Sequence, residues 1–166
     1  NAWHDVDLDN TKKMHDTADF NNYPKLTDKI VMDDSHSICM YRPDWVVNSV
    51  PFKTLNGALD SNLQDFIEDA APINTFNKVE IYFGNIDVRH HLCRIEGDYL
   101  ENTRHLARRY VEAAEKLPIE DVSIYELLPI EDESRKLPKS GYYKTKPFWG
   151  TWEQRNKCRL VFREYL

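Results

Sequence analysis

The sequence predicts an α/β protein in which a parallel sheet is covered by helices on both faces. Short runs rich in β-branched and aromatic residues alternate with stretches whose apolar residues recur every three to four positions, and this alternation is typical of parallel sheets. The chain has 166 residues, of which 41% are hydrophobic and 12% aromatic. A chain of that size and composition can form the core of one domain.

The first predicted strand covers 29–33 and follows a polar segment, 1–28, which we interpret as a lead-in to the domain. Its apolar run ends at Asp33 and Asp34, as expected where a buried parallel strand runs into a functional turn. A short helix is predicted around 37–41.

The remaining elements are predicted from the same two patterns. Runs of β-branched residues indicate strands, and apolar residues at helical spacing indicate helices. In chain order we predict a strand at 44–51, a loop at 54–57, a helix at 58–70, a strand at 79–83, a helix at 98–117, a strand at 122–128, a loop at 131–150 and a helix at 152–166. Ligands of such sheets bind beyond the carboxyl ends of the strands, so functional residues are expected directly after them.

Charge and composition disfavour several classes of protein. The net charge of −6 disfavours a protein that grips nucleic-acid phosphates. No apolar run approaches the roughly 18 residues that span a bilayer, and the polar first residues show no signal peptide. The five glycines are scattered rather than grouped in a phosphate-binding loop. The three cysteines are far apart and typical of reduced thiols, so we expect a cytoplasmic protein without cofactor, nucleic-acid partner or membrane contact.

Three residues that follow predicted strands suit the hydrolysis of an ester by a serine. This chemistry requires a hydroxyl on an exposed turn, a base that accepts its proton, and donors for the oxyanion. Ser35 offers the hydroxyl. The backbone N–H groups of Ser35 and Gly57, together with the side-chain amide of Asn85, offer the donors.

These segments resemble the sequence blocks of the SGNH (GDSL-like) hydrolases. Residues 33–37, Asp-Asp-Ser-His-Ser, are similar to the nucleophile block, and 54–57, Thr-Leu-Asn-Gly, to the second block. Residues 83–87, Phe-Gly-Asn-Ile-Asp, look like a contracted third block. The resemblance covers about 29–166. It implies a flavodoxin-like three-layer sandwich and an esterase or deacetylase with Ser35 as nucleophile.

Two features depart from the family pattern. Asp33 stands where the family's first block begins with glycine. No Asp-x-x-His block follows the third block, and the last histidine of the chain is His105. The resemblance therefore implies either that the domain continues beyond Leu166 with its acid–base pair, or that the site is non-catalytic or uses a different arrangement of residues.

Six side chains near these blocks are candidates for acid–base chemistry or substrate contact. Histidine transfers protons near neutral pH, and arginine binds anionic groups through two hydrogen bonds. The ordinary alternative for each is a surface ion pair or a contact with the backbone. The candidates are Asp34, His36, Asp87, Arg89, His90 and His91.

Two patterns that resemble metal sites are weaker than the hydrolase pattern. The segment 5–16 echoes an EF-hand loop, but Asn10 replaces its central glycine and Asp16 its final glutamate. Asp33 and Asp34 with two histidines offer suitable ligands, but nothing in their spacing demands a cation. We therefore predict no metal.

The loop 137–152 is rich in aromatic residues: Tyr142, Tyr143, Phe148, Trp149 and Trp152. Beside a strand-end site such a loop can stack on a sugar ring or close as a lid. The alternative is that the aromatic side chains pack on one another over the sheet.

Three functional hypotheses follow. The first is an SGNH-like esterase or deacetylase acting on a small ester or a carbohydrate ester. The second is a non-catalytic SGNH-like module that binds protein partners in a larger assembly, for example a viral one. The third is a glycosyltransferase-like or nucleotide-modifying α/β enzyme.

Overall fold

The structure is a computed structural model that describes residues 27–34, 42–51, 53–134, 136–137, 139–140, 144–145 and 148–166. Four strands form one sheet in this part of the chain: β1 Lys29–Asp33, β2 Val46–Ser49, β3 Lys78–Tyr82 and β4 Asp121–Ile124. Their order is β2-β1-β3-β4, and every neighbouring pair is parallel. The predicted α/β class, with the strand order of a flavodoxin-like sheet, is confirmed.

Helices connect the described strands and pack against the sheet. They are α1 Leu55–Asp60, α2 Leu63–Glu68, a 3-10 turn Ile73–Thr75, α3 Asn85–His90, α4 Tyr99–Glu115 and α5 Trp152–Arg163. The predicted long helix at 98–117 corresponds to α4. It begins where the Asp98 carboxylate accepts hydrogen bonds from the N–H groups of Leu100 and Glu101, at 2.9 and 2.8 Å.

The core lies between one face of the sheet and these helices. Side chains alternate along a strand, so Ile30 and Ile81 join the core cluster while Glu80 points to the opposite face. Helices α4 and α5 pack on each other and contribute Tyr110 and Phe162 to the same cluster. The helix predicted around 37–41, between β1 and β2, lies outside the described residues.

The loop predicted at 54–57 is wrong, because these residues begin α1. The Thr54 side-chain oxygen accepts a hydrogen bond from the Gly57 N–H at 3.0 Å, which is the geometry of a helix N-cap. Gly57 lies within the helix, so its backbone conformation does not require a glycine.

The single helix predicted at 58–70 is divided into α1 and α2. Asn62 interrupts it with a φ of 72°, in the left-handed region, and its side chain caps α2 by accepting a hydrogen bond from the Gln64 N–H at 3.2 Å. Leu59 and Leu63 contact the same core on either side of the break. The apolar spacing therefore continues across the interruption and does not reveal it.

The last strand and the last helix are shorter than predicted. β4 was expected over 122–128, but after Ile124 only the Tyr125 N–H still donates to the Ile81 carbonyl, at 2.9 Å. The neighbouring strand β3 ends at Tyr82, so the chain beyond Tyr125 has no strand to pair with. Helix α5 ends at Arg163.

No helix in the described ranges is both long and apolar enough to cross a bilayer.

Candidate functional site

The carboxyl ends of β1 and β3 bring several predicted site residues to one edge of the sheet. The two strands are neighbours, and Asp33 is in register with Tyr82. Asp34 and the segment that leads to Asn85 therefore leave the sheet side by side. Asp33, Asp34 and Asn85 are at most 1% exposed. This edge is polar but excluded from solvent, which is the setting in which electrostatic interactions are strongest.

The amide of Asn85 is oriented by the backbone of a neighbouring segment. Gly84 has a φ of 111°, a conformation that favours glycine, and it turns the chain from β3 into α3. The Asn85 Oδ1 accepts a hydrogen bond from the Leu128 N–H at 3.1 Å. Its Nδ2 is buried beside the Tyr82 hydroxyl and makes no well-aligned hydrogen bond to a described residue. Asn85 therefore presents a fixed, uncharged donor group at the end of β3.

The Tyr82 hydroxyl is a neighbour of the Asn85 amide. Burial raises the pKa of Tyr82, while the Asn85 amide and the Leu128 backbone act in the opposite direction. The net rise keeps the phenol neutral at physiological pH.

Asp87 ties α3 to the start of α1. Its carboxylate accepts hydrogen bonds from the N–H groups of Leu55 and Asn56, at 2.6 and 3.2 Å. Burial raises the pKa of Asp87 from 3.8 to about 6, although the two amide bonds lower it, and the charge of Asp34 contributes to the rise. Asp87 can therefore gain and lose a proton near neutral pH.

Tyr110 supports this edge from α4. Its hydroxyl accepts a hydrogen bond from the Phe83 N–H at 3.2 Å, directly after β3. Burial raises the pKa of Tyr110 strongly, and the charges of Asp34 and Asp87 raise it further. Both carboxyl groups therefore lie within electrostatic range of the same buried phenol.

The adjacent residues Arg89, His90 and His91 have different surroundings. The Arg89 Nε forms an ion pair with the Glu131 Oε2 at 2.9 Å. The ring of His90 is buried, and its centroid lies 5.4 Å from that of Phe148. His91 is part-buried and lies one position further along the chain.

His91 is held by an arginine. Its Nδ1 lies 3.2 Å from the Arg94 Nη2, so in a neutral ring the Nδ1 accepts and the proton resides on Nε2. Burial lowers the pKa of His91, and the charge of Arg94 lowers it further. These effects favour the neutral ring, in which Nε2–H is a donor and the Nδ1 lone pair is directed at Arg94.

A cavity of about 350 Å³ lies between α1, the turn after α3 and the first half of α4. Its polar lining includes Asn56, Asp87, His91, Asn102, His105 and Arg109. His105 and Arg109 are four residues apart on α4, which places them on one face of the helix. Neither was predicted as a site residue, because this spacing is equally typical of a solvated helix face.

Part of the aromatic loop packs on the protein rather than closing over a site. The Phe148 ring contacts His90 and lies 4.4 Å from the guanidinium carbon of the fully buried Arg155. Trp149 remains 51% exposed, although its backbone N–H donates to the Arg89 carbonyl at 2.9 Å. Tyr142 and Tyr143 lie outside the described residues.

The structure therefore gathers Asp34, Asn85 and Asp87 at one buried edge, and it places His91 in the cavity that Asp87 also lines. Gly57 lies inside α1, with its N–H donated to Thr54. Ser35 and His36 lie outside the described residues, so their catalytic roles stay predictions. Within the part of the chain that is described, no group of three His, Cys, Asp or Glu side chains could hold a metal ion.

Neither a protein-family model, nor a curated protein, nor a solved structure matches this chain.

Proposed function

We propose that the chain is an SGNH-like serine hydrolase that acts on a small ester, such as an acetyl ester of a carbohydrate, with Ser35 as the nucleophile. The observation that carries the proposal is the Asn85 amide. Its oxygen is held by the Leu128 N–H, and its Nδ2 is buried beside the Tyr82 hydroxyl without a well-aligned hydrogen bond to a described residue. A buried donor costs free energy unless it is paired, so a group that supplies a partner during the reaction accounts for it.

The reaction requires stabilisation of the negative charge that develops on the carbonyl oxygen. When Ser35 Oγ attacks the acyl carbon, the new C–O bond displaces the carbonyl electron pair onto oxygen. Asn85 Nδ2 donates to this oxyanion without the reorganisation that water would need. A donor of this kind accelerates acyl transfer by about 10²- to 10³-fold.

The base that accepts the Ser35 proton is proposed to be a histidine. Within the described residues His91 lines the cavity that Asp87 also lines, but its Nδ1 faces Arg94, so it serves as the base only if the ring changes tautomer and Nε2 loses its proton. The ring of His90 packs against Phe148 instead. An Asp-x-x-His pair beyond Leu166, as the family resemblance implies, is the alternative source of the base.

The test is the hydrolysis of 4-nitrophenyl acetate by the full-length protein and by Ser35→Ala. We expect the substitution to lower kcat at least about 10³-fold, because no other hydroxyl replaces the nucleophile. Ser134→Ala removes an exposed hydroxyl that donates to Asp132 and serves as the control. Equal activity of Ser35→Ala and the wild type would contradict the proposal.

A second candidate is a non-catalytic module that binds protein partners. Trp149 and Trp152 favour it, because they are 51% and 39% exposed and aromatic residues are enriched at interfaces. This function predicts a wild-type protein that hydrolyses no acyl ester above background. A cytoplasmic, reducing setting is proposed in either case, and the free thiols of Cys93 and Cys158 are compatible with it.

A further inference from the structure

The cavity between α1, α3 and α4 contains a fixed arginine that the proposed ester chemistry does not use. The Arg109 guanidinium donates to Asn56 Oδ1 at 2.8 Å and to Asp60 Oδ1 at 2.7 Å. These two bonds hold the side chain in one position. A guanidinium has five N–H groups, so donors remain for a ligand. Its orientation is therefore set before any ligand arrives, which lowers the entropic cost of binding.

Other donors line the same cavity. His105 lies one turn before Arg109 on α4, and its ring is exposed to the cavity mouth. His91 also lines the cavity, and the Arg94 Nη2 lies 3.2 Å from its Nδ1. The lining also contains the carboxylate of Asp87. Each of its oxygens already accepts a hydrogen bond from a backbone N–H at the start of α1.

Three arginines of α4 lie in or near the cavity, although the whole chain carries a net charge of −6. Arg104 and Arg108 flank His105 on α4, and both form ion pairs with a single carboxylate, Glu101, at 3.1 and 3.3 Å. Arg109 pairs with Asp60. The three arginines of α4 are matched in number by its glutamates, Glu101, Glu112 and Glu115. The attraction for an anion therefore rests on the fixed donors of Arg109 and on His105 rather than on a positive surface.

The remaining walls of the cavity are apolar. Leu92 and Leu106 are buried, and Ile95 is 53% exposed at the rim. A volume of about 350 Å³ lies within the range of sites for small organic molecules, which combine an apolar lining with a few fixed polar groups. The site therefore suits a ligand with one anionic group and a compact apolar body.

We propose that this cavity binds a small organic anion, with its carboxylate or phosphate held by Arg109 and His105 and its apolar body against Leu92 and Leu106. Arginine suits both anions because its planar fork donates two parallel hydrogen bonds. Binding at this site does not require Ser35. Failure of the hydrolase proposal would therefore leave it intact, and its own failure would leave the hydrolase proposal intact.

The first test is calorimetric titration of the full-length protein at fixed ionic strength with benzoate, phenyl phosphate and benzyl alcohol. The three probes share an aromatic ring and differ in the polar group. We expect saturable binding of at least one anion, with benzyl alcohol at least 10-fold weaker. The stronger of the two anions identifies the ligand as a carboxylate or a phosphate ester. Binding of neither anion, or equal binding of benzyl alcohol, would overturn the proposal.

The second test locates the site with variants of three basic residues. Arg109→Gln is expected to weaken binding of the tighter anion at least 10-fold, and His105→Gln about 3- to 10-fold. Arg109 also forms hydrogen bonds to α1, and its replacement removes them. If Arg109→Gln is unstable for this reason, the exposed His105→Gln variant still tests the site. Arg163→Gln removes the same charge from an exposed ion pair with Glu126 and should change binding less than 2-fold. If Arg163→Gln and His105→Gln weakened anion binding equally, binding would depend on net charge alone, and the proposed site would be wrong.

Discussion

The two ends of strands β1 and β3 differ in how far their acidic side chains are buried. At the amino ends, Lys29 pairs with Asp44 at 3.3 Å and Lys78 with Asp121 at 2.6 Å, and the side chains of these two carboxylates are 67% and 51% exposed. At the carboxyl ends, acidic side chains are collected instead. Asp33 and Asp34 are 0% exposed, and Asp87, after β3, is 2% exposed.

The exposed ion pairs at the amino ends are compatible with a stable fold, whereas a buried carboxylate at the carboxyl ends lowers stability. Exposed pairs of opposite sign are tolerated because water solvates them, and their contribution to stability is small. A buried carboxylate raises the free energy of the folded state, mainly because it is removed from water, as the elevated pKa of Asp87 shows. Residues that oppose stability and gather at one edge of the sheet are candidates for function. The carboxyl edge is therefore where we place the chemistry.

The largest expected effect on stability is the pH dependence that Asp87 imposes. Its pKa is about 6 in the folded protein against 3.8 for the ordinary group. Between these values the folded state binds more protons than the unfolded state, so stability falls as pH rises. The contribution is present below pH 4 and is lost above pH 6, a change on the order of 3 kcal/mol.

Asp87→Asn removes this titration and tests the effect. We expect the free energy of unfolding of the wild type, minus that of the variant, to fall by roughly 2.4 kcal/mol between pH 4 and pH 7 in urea titrations. Asp69→Asn removes an exposed carboxyl and is the control. A difference between wild type and Asp87→Asn that is constant with pH would show that Asp87 does not titrate in this range.

The smallest expected effect concerns the amino edge. Lys78→Gln breaks the exposed pair with Asp121. Because both groups remain solvated without each other, the urea midpoint at pH 7 should move by less than about 0.5 M. A shift in the urea midpoint as large as that of Asp87→Asn would contradict the difference in stability between the charges at the two edges.

The parts of this fold that the sequence could predict are those with a local signal. β1 and β3 follow from β-branched runs, and α4 follows from its apolar spacing after the Asp98 cap. The placement of Asn85 and Asp87 at a sheet edge then follows from the parallel order of the strands.

The short elements, and the contacts between residues that are distant in the chain, could not be predicted from the sequence. α3 has six residues, too few to show a helical period, and its start at Asn85 resembled a turn because of Gly84. The Thr54 cap was a usable signal for α1, but Gly57 suggested a loop. The cavity could not be predicted, because Asp87 and Arg109 line one cavity only when α1 packs against both α3 and α4.

The central claim is that the Asn85 amide is the oxyanion donor of a hydrolase, and it is tested most directly by the kcat of Asn85→Ala on 4-nitrophenyl acetate. Asn77→Ala is the matched control, because it removes an exposed amide at the amino end of the same strand. We predict a kcat about 10²- to 10³-fold below that of the wild type for Asn85→Ala, and a change below about 2-fold for Asn77→Ala. A folded Asn85→Ala protein with a kcat within 2-fold of the wild type would contradict the account.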